Sequence, residues 1–373
     1  MRWKIHVLYT ESASLEELRP IFDRLPQPSP KDRIAIKPNL VVPKPHTSGA
    51  TTDPALVECI VAYLQEKGHS DIRIMESSGV GESTSQAFRV CGYEALSRKY
   101  NVPLVDLKKD KSVKQSIGDI DIQICQEVAA TDFLINVPVL KAHCQTRLTC
   151  ALKNLKGCIP DREKRRFHAL GLHKPIAALN KAIRTDWIIV DGIIGDLTFE
   201  EGGTPINMGR IIAGTDPVLL DTYALHLLGY ELHDVPYVSL AAALGAGATD
   251  LSKASIIEYL KGDRPPIAPR PANPLAHRYA IYIDEREACS ACYGSLIYAL
   301  RRYEELHGTL PPPTRIAIGQ GFNPPKSGAL NRVTTSNQAI LGVGRCTQAA
   351  FQRHVPGCPP TAKSVLAHLV KWL

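Results

Sequence analysis

No apolar run in this 373-residue chain approaches the ~18 residues that a membrane-spanning helix needs. The first twenty residues, MRWKIHVLYTESASLEELRP, lack the apolar stretch and small-residue cleavage site of a secretory leader. The expectation is a cytoplasmic protein with no membrane segment. Aromatic residues make up only 6% of the chain, and no nucleic-acid-binding motif is present, so nucleic acid is not an expected partner. No G-x-G-x-x-G or Walker sequence occurs, so no fingerprint names a nicotinamide, flavin or nucleotide. Internal repeats are absent too. In a reducing compartment the ten cysteines are expected as thiols or metal ligands rather than disulfides.

What is present is an ordinary soluble composition, 44% hydrophobic and 22% charged, with a net charge of +7 that is unevenly spread. Between Lys141 and Lys174 nine Lys or Arg stand against Asp161 and Glu163, so this one segment equals the whole excess. The chain alternates strand-like stretches (KIHVLY, RIAIKPNLVV, DIRIMES, TDFLINVPVL, DWIIVDGIIGD) with helix-like ones. DPALVECIVAYLQEKG has Asp53 as N-cap, Pro54 at the first position and Gly68 as the stop. SLEELRPIFDRL opens with Ser14 and Glu17, and Asp216 precedes Pro217 at the head of a later helix. Alternation of this kind predicts an α/β fold with a mostly parallel sheet flanked by helices. The expected organisation is an α/β domain over residues 1–260, a proline-rich linker over 261–278, and a small C-terminal α/β cluster-binding domain over 279–373.

The C-terminal part holds Cys289, Cys292, Cys346 and Cys358. The first two form CSAC at the head of a helix, where positions i and i+3 share a face. Cys346 follows AILGVGR, and Cys358 sits in VPGCPP, both at element ends. Four readings compete: one iron–sulfur cluster, favoured by the Cys₄ set and the closing Cys-Pro; structural zinc, disfavoured because the second pair is not a C-x₂-C knuckle; a redox dithiol using only the first pair; and four buried thiols. A [4Fe–4S] cluster suits four ligands at irregular spacing best. Cys59, Cys91, Cys125, Cys144, Cys150 and Cys158 are assigned to packing.

The basic segment, INVPVLKAHCQTRLTCALKNLKGCIPDREKRRFHALGLHKP, opens with a buried strand. Lys141, His143, Lys153 and Asn154 interleave with apolar residues and are the candidates for a pocket that takes an anionic ligand. Lys141, His143 and Lys153 are the catalytic candidates, and His168 is a second histidine able to carry protons. DREKRR reads as a solvated helix face. Lys37 and Asn39, at the end of the second strand, and Asp191, at the end of WIIVD, mark further site edges. ESSGVGES is a weak phosphate-cradle candidate. Asp221 is placed to pair with the basic segment, and FEEGGTPIN is a glycine loop that either flanks the site or only turns the chain.

In order and spacing, IKPNLV, NVPVLKAH…LTCALKNLKGCIP…H, IIVDG and AGTDPVLLD resemble the DUF362 family over roughly residues 30–250. Many members carry iron–sulfur domains, and CSAC…VGRC…VPGCPP is similar to the cluster-binding tail of some. The tandem CxxCxxCxxxCP runs of others are missing. The resemblance implies the fold and the cluster rather than a reaction. The cluster and the basic segment together lead to the expectation of an iron–sulfur redox protein in an anaerobic setting, transferring electrons or reducing an anionic small molecule. A redox partner protein and a homodimer are expected with it. The competitors are an accessory binding protein with a structural cluster and a zinc-stabilised, non-redox enzyme acting on an anionic substrate.

Overall fold

A central parallel strand is covered on both faces, so it reads as an unbroken buried run. The segment Ile34–Pro38 is such a strand, with all five residues buried. In the computed structural model, which describes residues 3–260, 275–308, 310, 315–322 and 339–372, the chain divides into two compact units. The first comprises residues 1–164 and 172–273, the second 165–171 and 274–373.

The first unit is built on an eight-stranded sheet. Its strands are β1 (Trp3–Tyr9), β2 (Ile34–Pro38), β3 (Ile72–Glu76), β4 (Leu104–Asp106), β7 (Phe133–Val137), β10 (Trp187–Asp196), β11 (Pro205–Gly214) and β12 (Ala254–Tyr259). A hairpin of β5 (Ser112–Ile117) and β6 (Ile120–Cys125) and another of β8 (Lys141–His143) and β9 (Arg147–Thr149) stand outside it. The order is β12-β1-β11-β10-β7-β2-β3-β4. Only β11 runs against the rest. The carboxyl ends of the other seven therefore point to one edge, where open α/β sheets present their ligand sites. Lys37 lies beside Asn136 in the β2–β7 register.

Alternate strand residues Ile34, Ile36, Ile72, Ile74, Ile135 and Val137 pack with Leu18, Phe22, Ile60, Leu64 and Leu96 of flanking helices. Capping fixes where those helices begin. Asp53 accepts from Ala55 N, Ser14 from Glu17 N, and Asp216 from Val218 N and Leu219 N. The helix expected over the basic segment is shorter: Ala151–Asn154 is α-helical and Leu155–Cys158 is a 3₁₀ turn. Upstream of it the chain folds as the β8–β9 hairpin, with Arg147 at φ 62°.

The second unit carries a parallel sheet in the order β13 (Ile283–Glu285), β14 (Arg315–Ile318), β15 (Ala339–Val343) and β16 (His354–Val355). Helices Ser290–His307 and Ala362–Trp372 pack on each other. The strand expected from RYAIYID starts only at Ile283, because Leu275–Tyr279 and Ala280–Tyr282 are helical turns. Of the expected linker, residues 261–274 lie outside the described residues.

Candidate functional site

The carboxyl ends of β2, β3 and β7 meet in a buried polar network. Lys37, 1% exposed, donates to Glu76 Oε2 at 2.8 Å and to Asn154 Oδ1 at 3.4 Å. Glu76 also accepts from Leu40 N at 2.8 Å and Ser77 N at 2.7 Å. Asn154 Nδ2 donates to Asn136 Oδ1 at 2.7 Å, and Asn136 Nδ2 to Ala151 O at 2.9 Å. Room for this pair exists because residue 157 is glycine; a Cβ there would lie 2.6 Å from Lys37 Nζ and nearer still to Glu76 Oε1. Lys37 and Asn154 thus do come together, with their polar atoms used internally.

Beside this network Lys141, also 1% exposed, donates to Ala50 O, to Glu200 O at 2.8 Å and to Asn39 Oδ1 at 3.4 Å. Burial, reinforced by the Lys153 charge, pushes its pKa down to about 7. Three acceptors occupy its three N–H donors. Lys141 accordingly ties the 44–51 segment to the 196–204 loop.

Lys153 differs. It is half-buried, and among the described residues it makes no hydrogen bond or salt bridge. Burial pushes its pKa down to about 8, opposed by Glu200 and Cys144. Of the candidate lysines it is the one with uncommitted donors, beside Lys141 and Glu200.

His143, Cys144 and Glu200 offer three ligand atoms within 4.8 Å of one another, and all three residues are buried. His143 Nδ1 accepts from Gln145 N at 3.0 Å and Thr146 N at 3.2 Å. The neutral ring therefore carries its proton on Nε2, 3.4 Å from Glu200 Oε1. Glu200 also accepts the Cys144 thiol at 2.8 Å and Cys144 N at 3.0 Å. A metal-binding histidine donates its second ring N–H outward, whereas here the second nitrogen is an acceptor. The three groups close on one another through hydrogen bonds. Burial and Glu200 hold the Cys144 thiol well above its ordinary pKa, so it stays protonated.

Other candidates fall elsewhere. Asp191 accepts from Asp53 N at 2.8 Å and Ile193 N at 3.1 Å, and burial pushes its pKa up to about 7. It anchors the start of a helix and a strand irregularity. His168 belongs to the segment 165–171 that groups with the second unit. Asp221 was expected to pair with basic side chains; it accepts from Ala151 N at 2.7 Å and Leu152 N at 3.2 Å and so holds the start of the Ala151–Asn154 helix. The run expected to face water is only partly exposed. Lys164 is 4% exposed and donates to Ser77 O, Ser77 Oγ and Ser78 O at 2.6–2.7 Å. Lys108 takes Gly79 O and Glu82 O. The glycine turn 77–82 thus shows its carbonyls to two lysines. Its Ser77, Ser78, Gly79 and Glu82 amides are spent on protein acceptors, which is the reverse of a phosphate cradle. Glu76 and Asn136 were not singled out in the sequence, Gly157 was read only as a helix stop, and Glu200 only as part of the FEEGGTPIN loop that flanks the site or turns the chain. The signal for Glu76 was its place at the end of a buried strand.

In the second unit the four cysteines stand just beyond the carboxyl ends of parallel strands. Cys289 follows β13 and is the N-cap of Ser290–His307, not a residue on its face; Cys292 lies in the first turn. Cys346 follows β15 and Cys358 follows β16. Gly344 N donates to Val355 O at 2.9 Å and Arg345 N to Gly357 O at 2.8 Å, which lays the Cys346 and Cys358 loops side by side. A Cβ on Gly344, at φ 89°, would lie 3.8 Å from Cys292 Sγ. The Cys292 thiol is raised far above its ordinary pKa by burial and by the neighbouring Cys289, Cys358 and Cys346 thiols. All four are unbridged.

Residues 34–226 match the family described as a domain of unknown function, DUF362. The chain belongs to that family. The match takes in β2, the polar network, the β8–β9 hairpin and Asp191, and it stops short of residues 274–373, which hold the four cysteines. A thylakoid-associated protein of Synechocystis is 27% identical over 231 residues, covering 59% of this chain and 70% of its own. Among solved structures, the lactate racemase apoprotein of Thermoanaerobacterium thermosaccharolyticum is similar at a TM-score of 0.39 and 11% identity over 61% of this chain. A Thermotoga maritima protein is similar at 0.39 and 14% over 63%. This chain spans 57% and 60% of those two structures, less than two thirds of either. Among the described residues no helix is long and apolar enough to cross a membrane.

Proposed function

We propose that this DUF362 protein is an iron–sulfur redox protein, with a [4Fe–4S] cluster on Cys289, Cys292, Cys346 and Cys358 and an anionic ligand held at Lys153. The observation that carries the reading is the convergence of four unbridged thiols at the carboxyl edge of one parallel sheet. The Cys₄ set, its irregular spacing along the chain and the closing Cys-Pro favour a cluster over zinc, which is usually held by two C-x₂-C knuckles. A cubane accepts and passes on single electrons. The chain's part is to present four thiolates at fixed strand ends and to shield Cys292.

In the first unit Lys153 supplies the charge for a carboxylate- or phosphate-bearing ligand. Lys37 and Lys141 shape the wall, since their own donors are used. The visible spectrum of anaerobically purified protein tests the redox reading. A broad absorbance that bleaches on dithionite addition and returns on reoxidation supports it, and a colourless, zinc-containing protein contradicts it.

Lys153→Ala is expected to weaken binding of a carboxylate probe about tenfold or more, because a charge-assisted contact contributes about 1.5–3 kcal/mol. Sign and pH window follow from the lowered pKa of about 8. The ammonium is charged below that pH, so binding persists there and is lost as pH rises through it. An ordinary lysine keeps its charge to ~10. Isothermal titration between pH 6.5 and 9 reads both effects; pH-independent binding in this range contradicts the assignment.

A further inference from the structure

After Glu305 the sequence contains no Asp or Glu, yet the same 68 residues hold seven Lys or Arg. The earlier part of the second unit is internally balanced. Arg278 pairs with Glu304, Arg286 with Asp284, and Arg301 and Arg302 with Glu305. The later part has no acid of its own to pair with. Arg345 directly precedes Cys346. Lys363 lies three residues beyond Pro360, whose Cδ would be 3.9 Å from a Cβ on Gly344. Both are exposed, and among the described residues neither makes a salt bridge. Cys358 between them is itself exposed, and Arg165, part of the same unit, adds its charge beside Cys292. The remaining exposed acids of the unit, Glu285 and Glu287, shortly precede Cys289 in the chain, where Glu285 accepts from Ala288 N at 2.8 Å.

We propose that the Cys346–Cys358 side of the second unit is a docking face for an acidic electron-carrier protein. The inference rests on the redox reading given above. A one-signed field around an accessible redox edge speeds encounter with a partner of opposite sign and orients it. The electron enters or leaves at Cys358, where solvent reaches the site; one electron moves from the reduced carrier to the oxidised cluster, or back, with no bond made or broken. Nucleic acid would meet the same charge, but the two phenylalanines described beside the Cys346 loop are not available for stacking. Phe322 and Phe351 are buried edge-to-face against each other, with ring centroids 5.5 Å apart.

The test uses the full-length, anaerobically purified protein with a reduced acidic flavodoxin as probe and a basic c-type cytochrome as control, mixed by stopped flow. The second-order rate with flavodoxin is expected to fall about tenfold or more between 20 and 300 mM salt. The Arg345→Glu/Lys363→Glu double variant should lower the low-salt rate about tenfold, with iron content unchanged, and raise the cytochrome rate. A rate indifferent to salt and to both reversals overturns the proposal. So does a variant that loses affinity for a duplex DNA probe while flavodoxin reacts as before. If the protein carries no iron, the redox reading fails separately, and flavodoxin binding followed by fluorescence anisotropy still decides the surface. Binding abolished in the double variant upholds it; no binding to the unaltered chain removes it.

Discussion

Cys292→Ala is expected to leave the purified protein with almost none of its iron, and Cys289, Cys346 and Cys358 variants should follow it. Cys292 is more enclosed than the exposed Cys358, in contact range of Gly344 and raised in pKa by burial and by its three neighbours. Removing it opens one of four positions where neither solvent nor another side chain replaces a thiolate easily. The second unit is small, so the free energy of metal binding is in large part its folding free energy. Loss of the ligand should therefore appear twice, as missing iron and as early melting or proteolysis of residues 274–373. Cys59, Cys91 and Cys125 are buried thiols of the first unit, pushed up in pKa by burial. Their alanine variants should keep full iron. Inductively coupled plasma analysis of the seven proteins reads the contrast, and full iron in the Cys292 variant would remove that residue from the site.

Gly157→Ala should destabilise the first unit by about 3–5 kcal/mol, the cost of parting a buried ion pair. The new methyl group would fall on the Lys37–Glu76 pair, whose side chains are 1% and 3% exposed. Backbone holds the glycine in place, because Ser77 N donates to Gly157 O at 3.1 Å. The pair has to give way, and neither charge has water to turn to. Gly68→Ala is the control. It sits at φ 90° with nothing within 4 Å of a Cβ, so it should cost only the left-handed strain of about 1–2 kcal/mol. Urea denaturation of the two variants separates packing against the ion pair from backbone strain. Equal small losses would mean that the pair relaxes freely.

The parts of the fold legible in the sequence were those fixed by local chemistry. Asp53-Pro54 and Asp216-Pro217 announce their helices because an N-cap and a first-position proline act within one turn. IAIKP reads as a buried parallel strand because every residue in it is covered. What stayed hidden depends on distant partners. Lys37 and Glu76 are 39 residues apart and meet only because β2 and β3 are neighbours in the sheet. Lys164 looked like one cation in a solvated run until the 77–79 turn supplied its acceptors. Cys144 looked like packing, and only the return of the 196–204 loop brings Glu200 to it. The β8–β9 strands are three residues each, too short for an alternation to declare itself. For the cysteines the loops were legible, but the cap position of Cys289 was not, since a cap and a first-turn residue look alike in CSAC.

The most direct measurement is the metal and acid-labile sulfide content of the full-length protein purified without oxygen. The account predicts about four irons and about four sulfides per chain, with zinc at trace level. One zinc per chain without sulfide, or a metal-free chain whose thiols all react with a thiol reagent, would contradict it.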